Sequence, residues 1–180
     1  MVQDLSEGDM VRTKDNGAQE IVWKGARRMT GAHMFALPHL RPIRIRIGAL
    51  GVKRPDEELL VSPSHRMLIQ GDEAMALFKT PEILVTAKDL INCKTVIVNE
   101  TVPEVTYIHL LLSDHQILWP NGVETESFHP ASAALTTLDA SDRKRLITRF
   151  SDLEFDPHTY GGSARRNLSV TEAAIMSHVA

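Results

Sequence analysis

The sequence predicts a mainly β domain followed by a helical extension, and three observations carry that prediction. Through residue 130, apolar residues either alternate with polar ones or gather in short β-branched runs. Turn signals and prolines break those runs at short intervals. Residues 131–180 instead carry a helical pattern and a capping box.

The elements follow in order. Val11 and Thr13 lead into Asp15-Asn16-Gly17, a tight-turn signal, and Ile21-Val22-Trp23 follow, so a hairpin is predicted. Residues 26–40 carry no clear period. Ile43, Ile45 and Ile47 alternate with Arg44 and Arg46, which predicts a strand with one apolar and one basic face. Leu59-Leu60-Val61 and Met67-Leu68-Ile69 flank Ser62–Arg66. Ile83-Leu84-Val85 and Thr95-Val96-Ile97-Val98 are further short strands. Val105 to Leu112 is the longest strand candidate, and Ser113-Asp114 is read as turning it back into Gln116–Trp119. Asp139–Phe150 reads as a helix and 155–162 as a loop. Ser169-Val170-Thr171-Glu172 opens a second helix, through about His178, with Val170, Ala173, Ala174 and Met176 as its buried stripe. The extension is expected to pack on the β domain.

A chain of 180 residues with 43% hydrophobic and 24% charged content suits one globular domain with an appendage. The net charge of -3 gives no global reason to expect nucleic acid or an anionic membrane as partner. Arg41, Arg44, Arg46, Lys53 and Arg54 are read as a solvated strand face. The single cysteine, Cys93, rules out an internal disulfide and is expected to pack as a small hydrophobe. No apolar run reaches the ~20 residues of a membrane span, and Met1–Leu5 lacks a signal-peptide pattern. These features fit the cytoplasm and leave export as part of a larger protein open.

One internal echo stands out. Asp4-Leu5-Ser6-Glu7-Gly8-Asp9-Met10-Val11 shares Asp, Leu and Val, at the same offsets, with Asp89-Leu90-Ile91-Asn92-Cys93-Lys94-Thr95-Val96. It fits two related β halves.

Histidines supply the candidate chemistry. In Ser62-Pro63-Ser64-His65, Pro63 removes a backbone donor and interrupts the ladder, so the break can aim His65 beside a backbone bond. An imidazole titrates near neutrality and can pass a proton to a departing amide nitrogen. Ser62 can hold a backbone group through its hydroxyl. On spacing alone, an ordinary strand-end histidine is the default reading. His109 lies within an apolar strand and His115 at an expected solvated turn. The eight histidines show no compact ligand spacing, so no metal and no cofactor is expected.

Taken together, Asp-Leu-x-x-Gly-Asp-x-Val, Ser-Pro-x-His-Arg, Val-Thr-Tyr-x-His and Asn-Gly, in that order, resemble the Hint family of hedgehog autoprocessing domains and inteins. Val22-Trp23, Arg46-Ile47-Gly48-Ala49-Leu50-Gly51 and Ala87-Lys88-Asp89-Leu90 bring the resemblance closest to the bacterial stand-alone branch. It covers roughly residues 2–128. It implies a mainly β, horseshoe-shaped disc with pseudo-two-fold halves over 1–130, with 131–180 as a helical extension. It also implies catalysis in which a cysteine or serine at the domain's first position attacks the preceding carbonyl, with His65 matching the histidine that protonates the leaving amine, Ser62 the hydroxyl residue, and His109 a later polar site residue. The implied partners are flanking segments of its own precursor and a small nucleophile or protein acceptor. Here Met1 stands three residues before Asp4, so the nucleophile and first strand are expected upstream, and the chain by itself is expected to be inactive. Asn121-Gly122 is followed by Val123-Glu124-Thr125-Glu126-Ser127 and not by His-Asn, so N-terminal cleavage or acyl transfer is expected in place of full splicing. The alternative is a non-catalytic Hint-fold binding or assembly module of a larger secreted or phage-like protein.

Overall fold

A computed structural model describes residues 1–131, 135 and 138–179, with side chains in the last helix described through Met176. Its described part is mainly β. The hairpin of β1 (Met10–Thr13) and β2 (Gly17–Glu20) pairs Thr13 with Gly17, and Gly17 takes φ 65°, where a side chain would be strained. Ile21-Val22-Trp23 therefore lies beyond the hairpin. It leads into β3 (Trp23–Thr30), an eight-residue strand in a stretch without sequence period. Thr30 caps the following helix α1 (Gly31–Ala36) by accepting the His33 N–H.

β3 pairs antiparallel with β9 (Glu104–Leu111) along its whole length, from Trp23↔Leu111 to Thr30↔Glu104. The turn expected at Ser113-Asp114 does not fold the chain back onto β9. β10 (Ile117–Leu118) pairs instead with β11 (Thr125–Glu126). β4 (Ile43–Ile45) lies between β5 (Leu59–Val61) and β8 (Val96–Val98). It stops before Ile47, which is exposed, while Ile43 and Ile45 are buried as their alternation requires. The largest sheet runs β10-β11-β6-β7-β12, with β6 (Arg66–Gln70) and β7 (Glu82–Thr86) at its centre and α2 (Asp72–Phe78) connecting them.

The internal echo has a structural counterpart. A 3-10 turn at Val2–Asp4 precedes β1, and another at Ala87–Leu90 precedes β8. Gly8 and Cys93 hold the same slot, and both take positive φ, 92° and 59°. Cys93 is exposed there, so it does not pack as a small hydrophobe: the slot demands a left-handed backbone at a surface turn. The offset from Asp4 to Asp89 also carries Lys24 to His109 and Gly25 to Leu110. Those four residues are cross-strand partners, Lys24↔Leu110 and Gly25↔His109. Lys24 and His109 therefore lie on opposite faces of the pleated pair, so the offset of the echo is not a two-fold of these two strands.

The extension packs on this body. α3 (Ala140–Arg149) lays Leu146 into a core with Trp23, Leu111 and Phe128. Asp142 accepts the Ala26 N–H at 2.7 Å and Glu7 the Lys24 N–H at 3.1 Å, so side chains cover the free edge of β3. β12 (Arg166–Asn167) adds in parallel to β7. The Ser169–Glu172 capping box opens α4 (Val170–Val179), with hydroxyl and carboxylate each accepting the other's backbone N–H at 3.3 and 2.8 Å. Its buried residues are Ala173 and Met176, while Val170 is exposed, being outside the helix face that meets Phe78 and Ile83.

The Trp23 ring lies over Gly25. A Cβ at Gly25 would stand 2.1 Å from the ring, and Trp23 is itself 1% exposed and stacked near Phe128. Gly25→Ala is expected to lower the unfolding free energy by about 1–3 kcal/mol, measured by urea melts. An unchanged midpoint would mean that the indole can move aside.

Candidate functional site

Ser62–His65 forms a turn between β5 and β6. The His65 N–H donates to the Ser62 carbonyl at 3.0 Å, with Pro63 at the second turn position, where its fixed φ fits. Both sides of the turn are fastened to the 3-10 segment at Ala87–Leu90. Ala87 N–H donates to the His65 carbonyl at 2.8 Å and Lys88 N–H to the Pro63 carbonyl at 3.1 Å. Ser62 thus holds the turn through its carbonyl, not its hydroxyl. Ser64 is exposed, and His65 is half-buried.

Three further histidines lie in this region. His109, on β9, is half-buried with its ring 5.0 Å from Phe128. His115 was expected to be solvated but is 5% exposed. The segment after β9 turns inward, and Ala164 of the extension closes over it. His115 Nδ1 accepts the Ala164 N–H at 3.0 Å, so Nε2 carries the proton and faces the Ser127 carbonyl at 3.2 Å. His129 stands edge-on to His115 at 4.9 Å between ring centres. Its Nδ1 accepts the Ala131 N–H at 3.2 Å, and its Nε2 meets the Gly161 carbonyl at 3.1 Å. Both rings are therefore fully committed to the backbone. The rings of His65 and His109 make no hydrogen bond among the described residues.

Sequence reasoning missed Glu126 and Arg66. Glu126 is 7% exposed; its Oε1 accepts the Arg66 N–H at 3.0 Å and lies 3.5 Å from the Arg66 guanidinium. Its Oε2 approaches His115 Nε2 at 3.4 Å. Burial alone would push the Glu126 carboxyl up, but His115, His65 and Arg66 together hold it below the ordinary carboxylate value. Nothing in the polar run Glu124-Thr125-Glu126-Ser127 signals that it turns inward.

Burial pushes His65 down, with Arg66 and His115 adding to the effect and Glu126 opposing it. Burial pushes His109 down to about 4, with His65 and Arg27 adding and Asp142 opposing. Both are neutral near pH 7, the state that can accept a proton. Among the described residues, no group of three His, Cys, Asp or Glu side chains is placed to hold a metal ion.

A histidine held neutral by the fold charges first in the unfolded chain. For His109, stability is full above the unfolded value near 6.5 and is lost as the pH falls from there toward about 4. The expected slope is up to about 1.4 kcal/mol per pH unit from this residue. Urea melts across that window are expected to be steeper in pH for the wild type than for His109→Gln, which cannot charge. Equal slopes would show that burial of His109 does not suppress its protonation.

The model of the Hint domain matches residues 1–132 of the 180. Comparisons with curated proteins and with solved structures return no match. A match over this share of the chain, together with the mainly β architecture of the matched region, establishes that the chain belongs to the Hint domain family.

Proposed function

We propose that this chain is the body of an autoprocessing Hint domain that cleaves or transfers the acyl group on its N-terminal side. The observation that carries this reading is the contrast among the four inner histidines. His115 and His129 have both ring nitrogens bonded to backbone groups, whereas His65 and His109 keep theirs uncommitted beside a fastened turn.

The proposed chemistry needs a thiol or hydroxyl from a residue preceding Val2. Its sulfur or oxygen attacks the carbonyl carbon on its own N-terminal side and gives its proton to neutral His65. The C–N bond breaks, and His65 returns that proton to the departing amine. The products are a thioester or ester and a free amino group, and covalent catalysis of this kind divides one difficult cleavage into easier steps. The thioester then passes to water, a small thiol or an acceptor amine. His109, neutral and next to the site, serves the proposal as a second proton-accepting or hydrogen-bonding group. Cys93 is not the proposed nucleophile: it sits at the exposed left-handed turn that pairs with Gly8 in the repeat.

A precursor bearing a cysteine-initiated strand ahead of Val2 tests the reading. Mass spectrometry is expected to find cleavage before that cysteine, accelerated by added thiol. His65→Ala is expected to slow the first step by about 10²–10⁴-fold. An intact precursor, alongside a Hint control that cleaves, would favour the non-catalytic binding or assembly module. Cleavage unaffected by His65→Ala would remove His65 from its role.

A further inference from the structure

The processing scheme gives no task to Glu126, a buried carboxylate bonded to the residue that follows the turn. β11 joins β6 through Thr125↔Met67, which brings Glu126 alongside Arg66. Arg66 is the first residue of β6 and directly follows His65. The Glu126 side chain accepts the Arg66 N–H, standing in for a ladder bond at the point where the chain leaves His65. The entry to the turn is fixed by the Ser62 carbonyl, its far side by Ala87 and Lys88, and its exit by Glu126.

The charged and titratable groups around this point come from several elements. Arg66 faces Glu126 from β6, His115 from the segment before β10, and His65 from the turn. His65 in turn acts on His109 of β9, as do Arg27 of β3 and Asp142 of α3. Of the charged groups acting on His65, Arg66 and His115 disfavour an imidazolium and Glu126 alone favours it. A carboxylate with a side chain 8% exposed costs several kcal/mol to desolvate unless it is paired. Arg66 and His115 supply that pairing, and the same carboxylate, bonded to the amide of the residue that follows His65, favours a charge on that ring.

We propose that Glu126 is the positioning residue for His65: it fixes the strand that leaves the turn and balances the imidazolium formed while His65 carries a proton. This rests on the processing reading for the use made of that proton. The coupling itself needs no nucleophile and can be measured in the chain as it stands.

The test is an NMR titration of the His65 ring in wild type and Glu126→Gln, with Glu104→Gln, an exposed partner of Arg28, as control. The amide side chain can still accept the Arg66 N–H but carries no charge. The His65 midpoint is expected to fall by about one pH unit in Glu126→Gln and to stay put in the control. An unmoved midpoint in a folded Glu126→Gln overturns the proposal. If that variant does not fold, the reciprocal measurement decides, because coupling between two sites is mutual. The Glu126 side-chain carboxyl resonance of the wild type is expected to show an inflection at the His65 midpoint, and His65→Gln to abolish it. A carboxyl resonance without that inflection also overturns the proposal. Failure here would leave the cleavage assay of the precursor standing, and failure of that assay would leave this coupling intact.

Discussion

The antiparallel pairing of β3 with β9 is the constraint on which the rest of the structure depends. Its eight cross-strand pairs run from Trp23↔Leu111 to Thr30↔Glu104 and join the two related halves. Its register sets Gly25 opposite His109, and only a glycine leaves room for the Trp23 ring at that point. The indole then meets Phe128, and Phe128 meets the His109 ring. One backbone register therefore fixes a tryptophan, a phenylalanine and a candidate histidine together. A slip of one residue would turn every one of these side chains to the other face.

The buried polar centre depends on the extension as well as on the β body. One nitrogen of His115 takes its partner from Ala164, which donates to it, and one of His129 from the Gly161 carbonyl. Tyr160 reaches back to the Leu112 carbonyl at 3.0 Å. Residues 160–164 thus supply backbone partners that a buried imidazole pair would otherwise lack, and unpaired polar groups at such depth cost about 1–3 kcal/mol each. A second charged network ties the first hairpin to the same sheet. Lys14 reaches Glu82 at 2.9 Å and Glu124 at 3.3 Å, and Arg165 bridges Glu82 to Asp15 at 2.8 Å on the Asp15 side. The helices and the short strand β12 behave as parts of one packed body with the sheets.

What was legible in the sequence follows from how local each signal is. Alternation marked β4 through Ile43 and Ile45, and the capping box marked α4 through Ser169 and Glu172, because each reports on its own few residues. β3 was not legible: Lys24, Gly25, Arg27 and Arg28 break its apolar pattern, and it is a strand because β9 and α3 cover its two edges. The same limit applies to the site. Ser62-Pro63-Ser64-His65 reads as a turn from Pro63 alone. The inward direction of His115 and Glu126 depends on Ala164 and Arg66, residues far from one or both in sequence, and no local pattern encodes it. Cys93 was misread for a related reason, since its position is set by the backbone of a turn and not by its side chain.

The pleat of the β3–β9 pair sends Lys24 and His109 to opposite faces. The two lie at neighbouring positions of the paired strands, Lys24 opposite Leu110 and His109 opposite Gly25. Lys24 directs its ammonium outward to the carbonyls of Gln3 and Leu5, and its backbone is covered by Glu7 and Arg145. His109 turns toward Phe128 and the region of His65. One face thus carries a half-buried ammonium bonded to two carbonyls, and the other carries a neutral ring toward Phe128. Alternation along one strand pair therefore decides which side chain reaches the carbonyls of Gln3 and Leu5 and which joins the buried rings.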